Sequence, residues 1–139
     1  MSEARRMEPP TSELTEPFWE ATRERRFLLQ WCTDCEQPVF YPREACPRCL
    51  GTSLEWRPST GDGQVYAVSV QHRPQMPLPA FSSGPYAVAL VELSEGVRLM
   101  SNIVGCPPDD VTVGMPVRIT WEPLTDGRNL PQFEPASRR

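Results

Sequence analysis

Lysine is absent from this chain. All 14 basic residues are arginine, set against 18 acidic ones for a net charge of −4. An acidic chain without lysine lacks the electrostatic footprint of a nucleic-acid binder. The arginine-only set reads as genome composition, with forks for carboxylate or phosphate as the functional alternative. Histidine is nearly absent: His72 stands alone. Any Ser or Cys triad would have to use it, and no nucleophile elbow or other hydrolase signature occurs. Long apolar runs are missing too. None approaches the ~20 residues that span a bilayer, and the opening MSEARRMEPPTSELTEP is acidic and polar, unlike a secretory signal. A cytoplasmic, reducing compartment is the expectation.

Cysteine is what the chain does have, in pairs. Cys32-Thr-Asp-Cys35 and Cys46-Pro-Arg-Cys49 read C-x2-C-x10-C-x2-C. Two such knuckles can bring four thiolates to one tetrahedral point, the geometry of a structural zinc ribbon. In a reducing compartment this pattern favours a metal over disulfides. One zinc ion is expected, held by Cys32, Cys35, Cys46 and Cys49. Iron in a rubredoxin-like centre, with electron transfer, is the alternative, since tetrahedral sulfur accommodates both. A four-cysteine site leaves no open position for substrate. The fifth cysteine, Cys106, reads as a small apolar core residue; one histidine is little to activate it.

The 139 residues make one domain or two very small ones. Residues 1–13 are polar, charged and proline-rich, and read as disordered. Thr15 is placed to N-cap a helix with Glu16 and Pro17 in its first turn, running to about Arg26. That helix and its lead-in, residues 14–30, precede the ribbon with no evident core to join. Phe18 and Trp19 on it are candidate interface anchors, or they pack on the chain's own ribbon. A short apolar strand, Phe27–Trp31, leads into the ribbon, residues 31–60, whose further strands are at Pro38–Pro42 and Leu54–Arg57. Gly61-Asp62-Gly63 marks a boundary. Residues 61–135 read as all-β, with strands at Gln64–Val70, Tyr86–Leu93, Val97–Val104, Val117–Glu122 and Leu130–Phe133. Five short strands with a long connection after the third suit an OB-type Greek-key barrel. Residues 136–139 are tail. The fold class is therefore mainly β: an N-terminal helix, a zinc ribbon and a five-stranded OB barrel.

His72 and Arg73 end the first barrel strand and enter a proline-rich loop. They are either a solvated strand end or polar contacts to a ligand or partner at the barrel mouth. Asp109-Asp110 reads as a turn before the fourth strand, since a catalytic carboxylate pair needs opposed placement. Tyr66, Phe81, Tyr86 and Trp121 could stack bases as in nucleic-acid-binding OB barrels. The acidic charge weighs against it, and barrel packing is the competing reading.

The order of these segments carries a resemblance. Pro17-Phe18-Trp19-Glu20, Leu28–Cys32, the two knuckles and Leu54-Glu55-Trp56 are followed by Gly63–Tyr66 and Val70-Gln71-His72-Arg73. Pro85–Leu93, Asn102–Cys106 and Val113–Val117 complete the set. Over residues 14–135 the chain resembles the acyl-CoA-associated zinc-ribbon and OB-fold proteins known as domain of unknown function thirty-five. That resemblance implies a rubredoxin-like ribbon followed by an OB barrel. It also implies a non-catalytic partner of thiolase-superfamily enzymes: thiolases, hydroxymethylglutaryl-CoA synthases, or lipid-transfer-protein-like aldolases of steroid side-chain breakdown. Some relatives are fused to MaoC-like enoyl-CoA hydratases, a part not found here, so the chain would be a stand-alone version or an excised domain. Acyl-CoA would be a ligand of the complex, with no catalytic residue on this chain. Phe18 and Trp19 would dock on the partner. His72, Arg73, Phe81 and Tyr86 would face the acyl-CoA channel.

Overall fold

A computed structural model describes residues 8–72 and 84–136. The expected helix is there but short: α1 spans Glu16–Thr22, with Pro17 in its first turn. Thr15 occupies the N-cap position without a side-chain cap bond; Ser12 instead accepts the amides of Thr15 and Glu16 through its carbonyl at 3.1 and 2.8 Å. The helix does not reach Arg26 because Arg25 takes a left-handed φ of 57°. The Arg26 amide then donates back to Ala21 O at 3.0 Å and that of Arg25 to Thr22 O at 2.9 Å. This is a Schellman-type closure with arginine where glycine is preferred.

A three-stranded antiparallel sheet follows, in the order β2-β1-β3. β1 is Leu28–Cys32, β2 Gln37–Val39 and β3 Leu54–Pro58. The second strand stops at Val39 rather than continuing to Pro42. Buried Gln30 explains why: its Oε1 accepts the Arg43 amide at 2.8 Å and its Nε2 donates to Arg43 O at 2.9 Å. That two-point clasp draws residues 40–43 out of the sheet and toward the barrel.

The barrel closes in the order β4-β5-β6-β8-β7. Its strands are β4 Asp62–Gln71, β5 Tyr86–Leu93, β6 Arg98–Ile103, β7 Pro116–Pro123 and β8 Asn129–Pro135. Neighbours are antiparallel except β6 and β8, which meet in parallel at Ile103 and Phe133. The long connection between β6 and β7 carries a single 3-10 turn, Pro108–Asp110, so the two aspartates sit in a turn as expected. Strand β5 alternates without a break, burying Ala87, Ala89, Val91 and Leu93. At the ribbon–barrel junction Gly61 has φ 77°, and a Cβ there would strike the Ile119 side chain.

One apolar core runs through barrel, β1 and helix. Phe18, Phe27 and Leu29 join Val65, Val91, Leu99 and Phe133 in a single buried cluster. The helix therefore does have a core to join, contrary to the sequence expectation. Sequence distance hid it: the wall that covers Phe18 comes from Phe27, Phe40 and the barrel. The ribbon's own core is a separate small cluster of Cys32, Val39 and Cys46.

Candidate metal centre and partner surface

Both knuckles are loops that follow a strand or turn and aim backbone amides at sulfur. The Cys35 amide donates to Cys32 Sγ, that of Arg48 to Cys46 Sγ and that of Gly51 to Cys49 Sγ, each at 3.4 Å. Cys32 and Cys49 sulfurs lie 3.7 Å apart and those of Cys35 and Cys46 3.9 Å apart, all four within 4.8 Å of one another. A disulfide is excluded at that separation. A tetrahedron with metal–sulfur bonds of about 2.3 Å has edges of about 3.8 Å; the two short separations match that edge, and the set as a whole is compact enough to close on one zinc ion.

Charge makes the same point. The Cys46 thiol is lowered to about 6, chiefly by the Cys49 amide aimed at its sulfur. Cys35 is pushed up to about 12, first by its bond to the Cys49 thiol and then by burial. Four thiolates cannot crowd together without a cation among them. The four cysteines are the structural zinc site of a ribbon, and with every ligand position filled by sulfur it is closed to substrate. Gly51, two residues past Cys49, is a local signal of the same site. A Cβ there would come within 3.3 Å of Cys49 Sγ.

The other expected site residues that are described fall in two places: Phe18 and Trp19 together on α1, and His72 and Tyr86 at one end of the β4-β5 pair, where Gln71 lies opposite Tyr86. Phe18 is only 6% exposed and packs edge-on against Trp19, Phe27 and Phe40. Trp19 is half-buried, with the Arg128 guanidinium 5.1 Å from its ring centroid. His72 is exposed just past β4, and Tyr86 is half-buried at the start of β5. Arg73 and Phe81 lie outside the described residues. Cys106 is half-buried against the core, and burial, then Asp110, raises its thiol. That is the reverse of nucleophile activation.

Among the described residues, Tyr66 and Trp121, two of the aromatics considered for base stacking, are each engaged by another side chain. Tyr66 is exposed but carries the Arg98 guanidinium 3.7 Å from its centroid, while Trp121 packs on Phe27 at 6.3 Å. Tyr41 takes the place beside β6: its hydroxyl accepts the Met100 amide at 3.1 Å.

Two features escaped the sequence reading. One is an apolar groove of about 340 Å³ where helix, ribbon and barrel meet, lined by Trp19, Phe40, Tyr41, Met100, Leu130 and Pro131 among others. Tyr41 is 53% and Met100 65% exposed on it. The other is the polar joint that locks α1 to the barrel. Fully buried Thr22 accepts the Asn129 amide at 3.2 Å on Oγ1, and its carbonyl accepts Asn129 Nδ2 at 2.7 Å. Arg23 Nη1 donates to Asp126 O at 2.6 Å. Buried Arg128 bonds Asp126 at 2.7 Å and Pro9 O at 2.9 Å. Asp126-Gly127 is a local turn pattern, but no local pattern reveals its contact with a helix about a hundred residues earlier.

A closed sulfur site on a three-stranded sheet, joined to a five-stranded barrel, defines a zinc-ribbon and OB-barrel protein. Family comparison gives the particular type. Residues 19–55 match the rubredoxin-like zinc ribbon domain of ChsH2, and residues 56–122 match the ChsH2 C-terminal OB-fold domain. A "DUF35 domain-containing scaffold protein" of Methanocaldococcus jannaschii is 36% identical over 110 residues, 78% of this chain and 77% of that protein. The chain belongs to the ChsH2-type DUF35 family.

A "Probable enoyl-CoA hydratase alpha subunit" of Thermomonospora curvata is 43% identical over 86% of this chain, which spans 37% of that protein's length. Among solved structures, the chain is similar to one described as "Ltp2-ChsH2(DUF35) aldolase". The TM-score is 0.83 at 38% identity, over 94% of this chain and 100% of the other. A DUF35-family protein of unknown function from Sulfolobus solfataricus shares the fold at TM-score 0.65 and 15% identity. Among the described residues no helix is long and apolar enough to cross a membrane.

Proposed function

We propose that this chain is the non-catalytic accessory subunit of a thiolase-superfamily acyl-CoA enzyme, with an aldolase of the lipid-transfer-protein-like type as the first candidate. The observation that carries the reading is the likeness to a chain of an aldolase complex over the whole of that chain. The chemistry of this chain agrees with it. Its metal site is closed, its free thiol is raised rather than activated, and its one histidine is exposed on a strand end. Carbon–carbon cleavage or formation would then use the partner's residues, and this chain would stabilise the partner and help hold the acyl-CoA.

In this reading the partner covers the apolar groove. Phe18 supports it from beneath, and Trp19, Tyr41 and Met100 supply the contact. The barrel end with His72 and Tyr86, together with Arg73 and Phe81, faces the acyl-CoA channel. A MaoC-like hydratase is a further candidate member of the assembly, steroid side chains a candidate substrate class, and the cytoplasm the setting. The test is affinity purification from the native host. A thiolase-superfamily chain should co-purify in fixed ratio, and Trp19→Ala with Met100→Ala should release it while zinc stays bound. Recovery of the chain with no such enzyme would overturn the proposal.

A further inference from the structure

Strand β4 is longer than the barrel that holds it. It pairs with β7 only over Asp62–Gln64. Val65 is the last residue satisfied on that edge, donating to Met115 O at 3.0 Å and accepting the Gly114 amide at 2.7 Å. A bulge between Val65 and Ala67 then re-aims the strand. From Ala67 to Gln71 it pairs with β5 alone among the described residues.

The direction of the outward groups follows from the ladder. On β5, the Leu93 amide bonds Val97 O and Ala87 O accepts Asn102 Nδ2 at 3.2 Å, both on the β6 side. Main-chain groups alternate in an antiparallel pair, so Leu90 and Val88 turn toward β4 and bond Ala67 and Ser69. Val68 and Val70, opposite Ala89 and Ala87, therefore point their N–H and C=O groups outward. No described residue bonds them.

Sheet edges left open in solution are normally defended by charge or proline. Tyr66-Ala67-Val68-Ser69-Val70-Gln71 has neither. We infer that this edge receives an extended strand of the acyl-CoA enzyme subunit by β-augmentation. The inference rests on the reading under Proposed function. Chemistry and size select that occupant. The residues that follow carry Pro74, Pro77 and Pro79, which lack the N–H a ladder needs. A second copy could match the edge, but six residues, about 20 Å of strand, bury far less than the ~1,200 Å² of a stable dimer. An occupant with contacts beyond the edge is required. β4 also ends beside His72, the end assigned to the acyl-CoA channel.

The test uses Val70→Pro. It removes an outward N–H and leaves the β5 ladder intact, the setting in which proline is tolerated in a strand. The probe is the thiolase-superfamily subunit co-purified from the host, titrated with wild type and variant. The expected result is at least tenfold weaker binding with zinc content unchanged. In wild type, the Val68 and Val70 amides should exchange fast alone and at least tenfold more slowly in the complex, a readout independent of how the variant folds. Equal binding of wild type and variant, or amides that stay fast in the complex, overturns the inference and leaves the accessory-subunit reading standing. Amides already slow in the isolated chain overturn it too, because the edge is then closed without the partner. If wild type does not bind the enzyme, the accessory-subunit reading fails and this inference with it.

Discussion

Ribbon and barrel solve the same problem, burying enough to stay folded, by different means. The barrel closes its sheet on itself and fills it with side chains from every strand, Phe133 fully buried among them. The ribbon has three strands of at most five residues and a private core of two cysteines and a valine. Such a sheet is marginal alone, and its deficit is what bound zinc makes up, at roughly 10–16 kcal/mol for sites of this kind. A module held by a metal keeps its geometry with little apolar core, so its outer surface is free for other work. Here the loop after β2 uses that freedom, reaching across to the barrel through Tyr41.

Removing the metal separates the two regions most sharply. Chelation, or Cys46→Ser, should melt the two knuckles and β2, which rest on the private ribbon core, while most barrel amides stay protected, as read by residue-resolved hydrogen exchange. Uniform loss of protection would mean that the two regions are one cooperative unit. Acid acts in the same direction. Zinc needs all four thiolates, so protons compete for the ligands and zinc release should rise as pH falls; a metal-indicator dye during an acid titration follows it.

The next largest effect strikes the barrel. Phe133→Ala should cost about 3–5 kcal/mol in denaturant unfolding, with the zinc content of the folded protein unchanged. Smaller again is the joint between the regions. Thr22→Val removes the acceptor for the buried Asn129 amide and should cost about 1–3 kcal/mol, with faster exchange at Asn129. The smallest change should stabilise. Arg25 holds φ 57°, which glycine adopts freely, and Arg25→Gly should gain about 1 kcal/mol without altering either region.

What the sequence made legible follows from range. Strand β5 could be read residue by residue because its alternation is local and unbroken. The four metal ligands could be read because their spacing is itself the geometry. The end of α1, the stop of β2 and the position of Phe18 could not. Each is set by a group outside the local segment or by a conformation its residue type disfavours: a left-handed arginine, Arg43 on Gln30, and Phe40 with the barrel core on Phe18. The groove was invisible for the same reason, since its lining comes from helix, ribbon and two barrel strands.

The proposed role, support of acyl-CoA chemistry that a partner performs, can be tested on the reconstituted pair. The most direct measurement is turnover of acyl-CoA substrate by the co-purified enzyme subunit as zinc-loaded chain is added back. Turnover should climb to a plateau at a fixed stoichiometry, with none from the chain alone. Turnover by the isolated chain, or an enzyme indifferent to its presence, would contradict it.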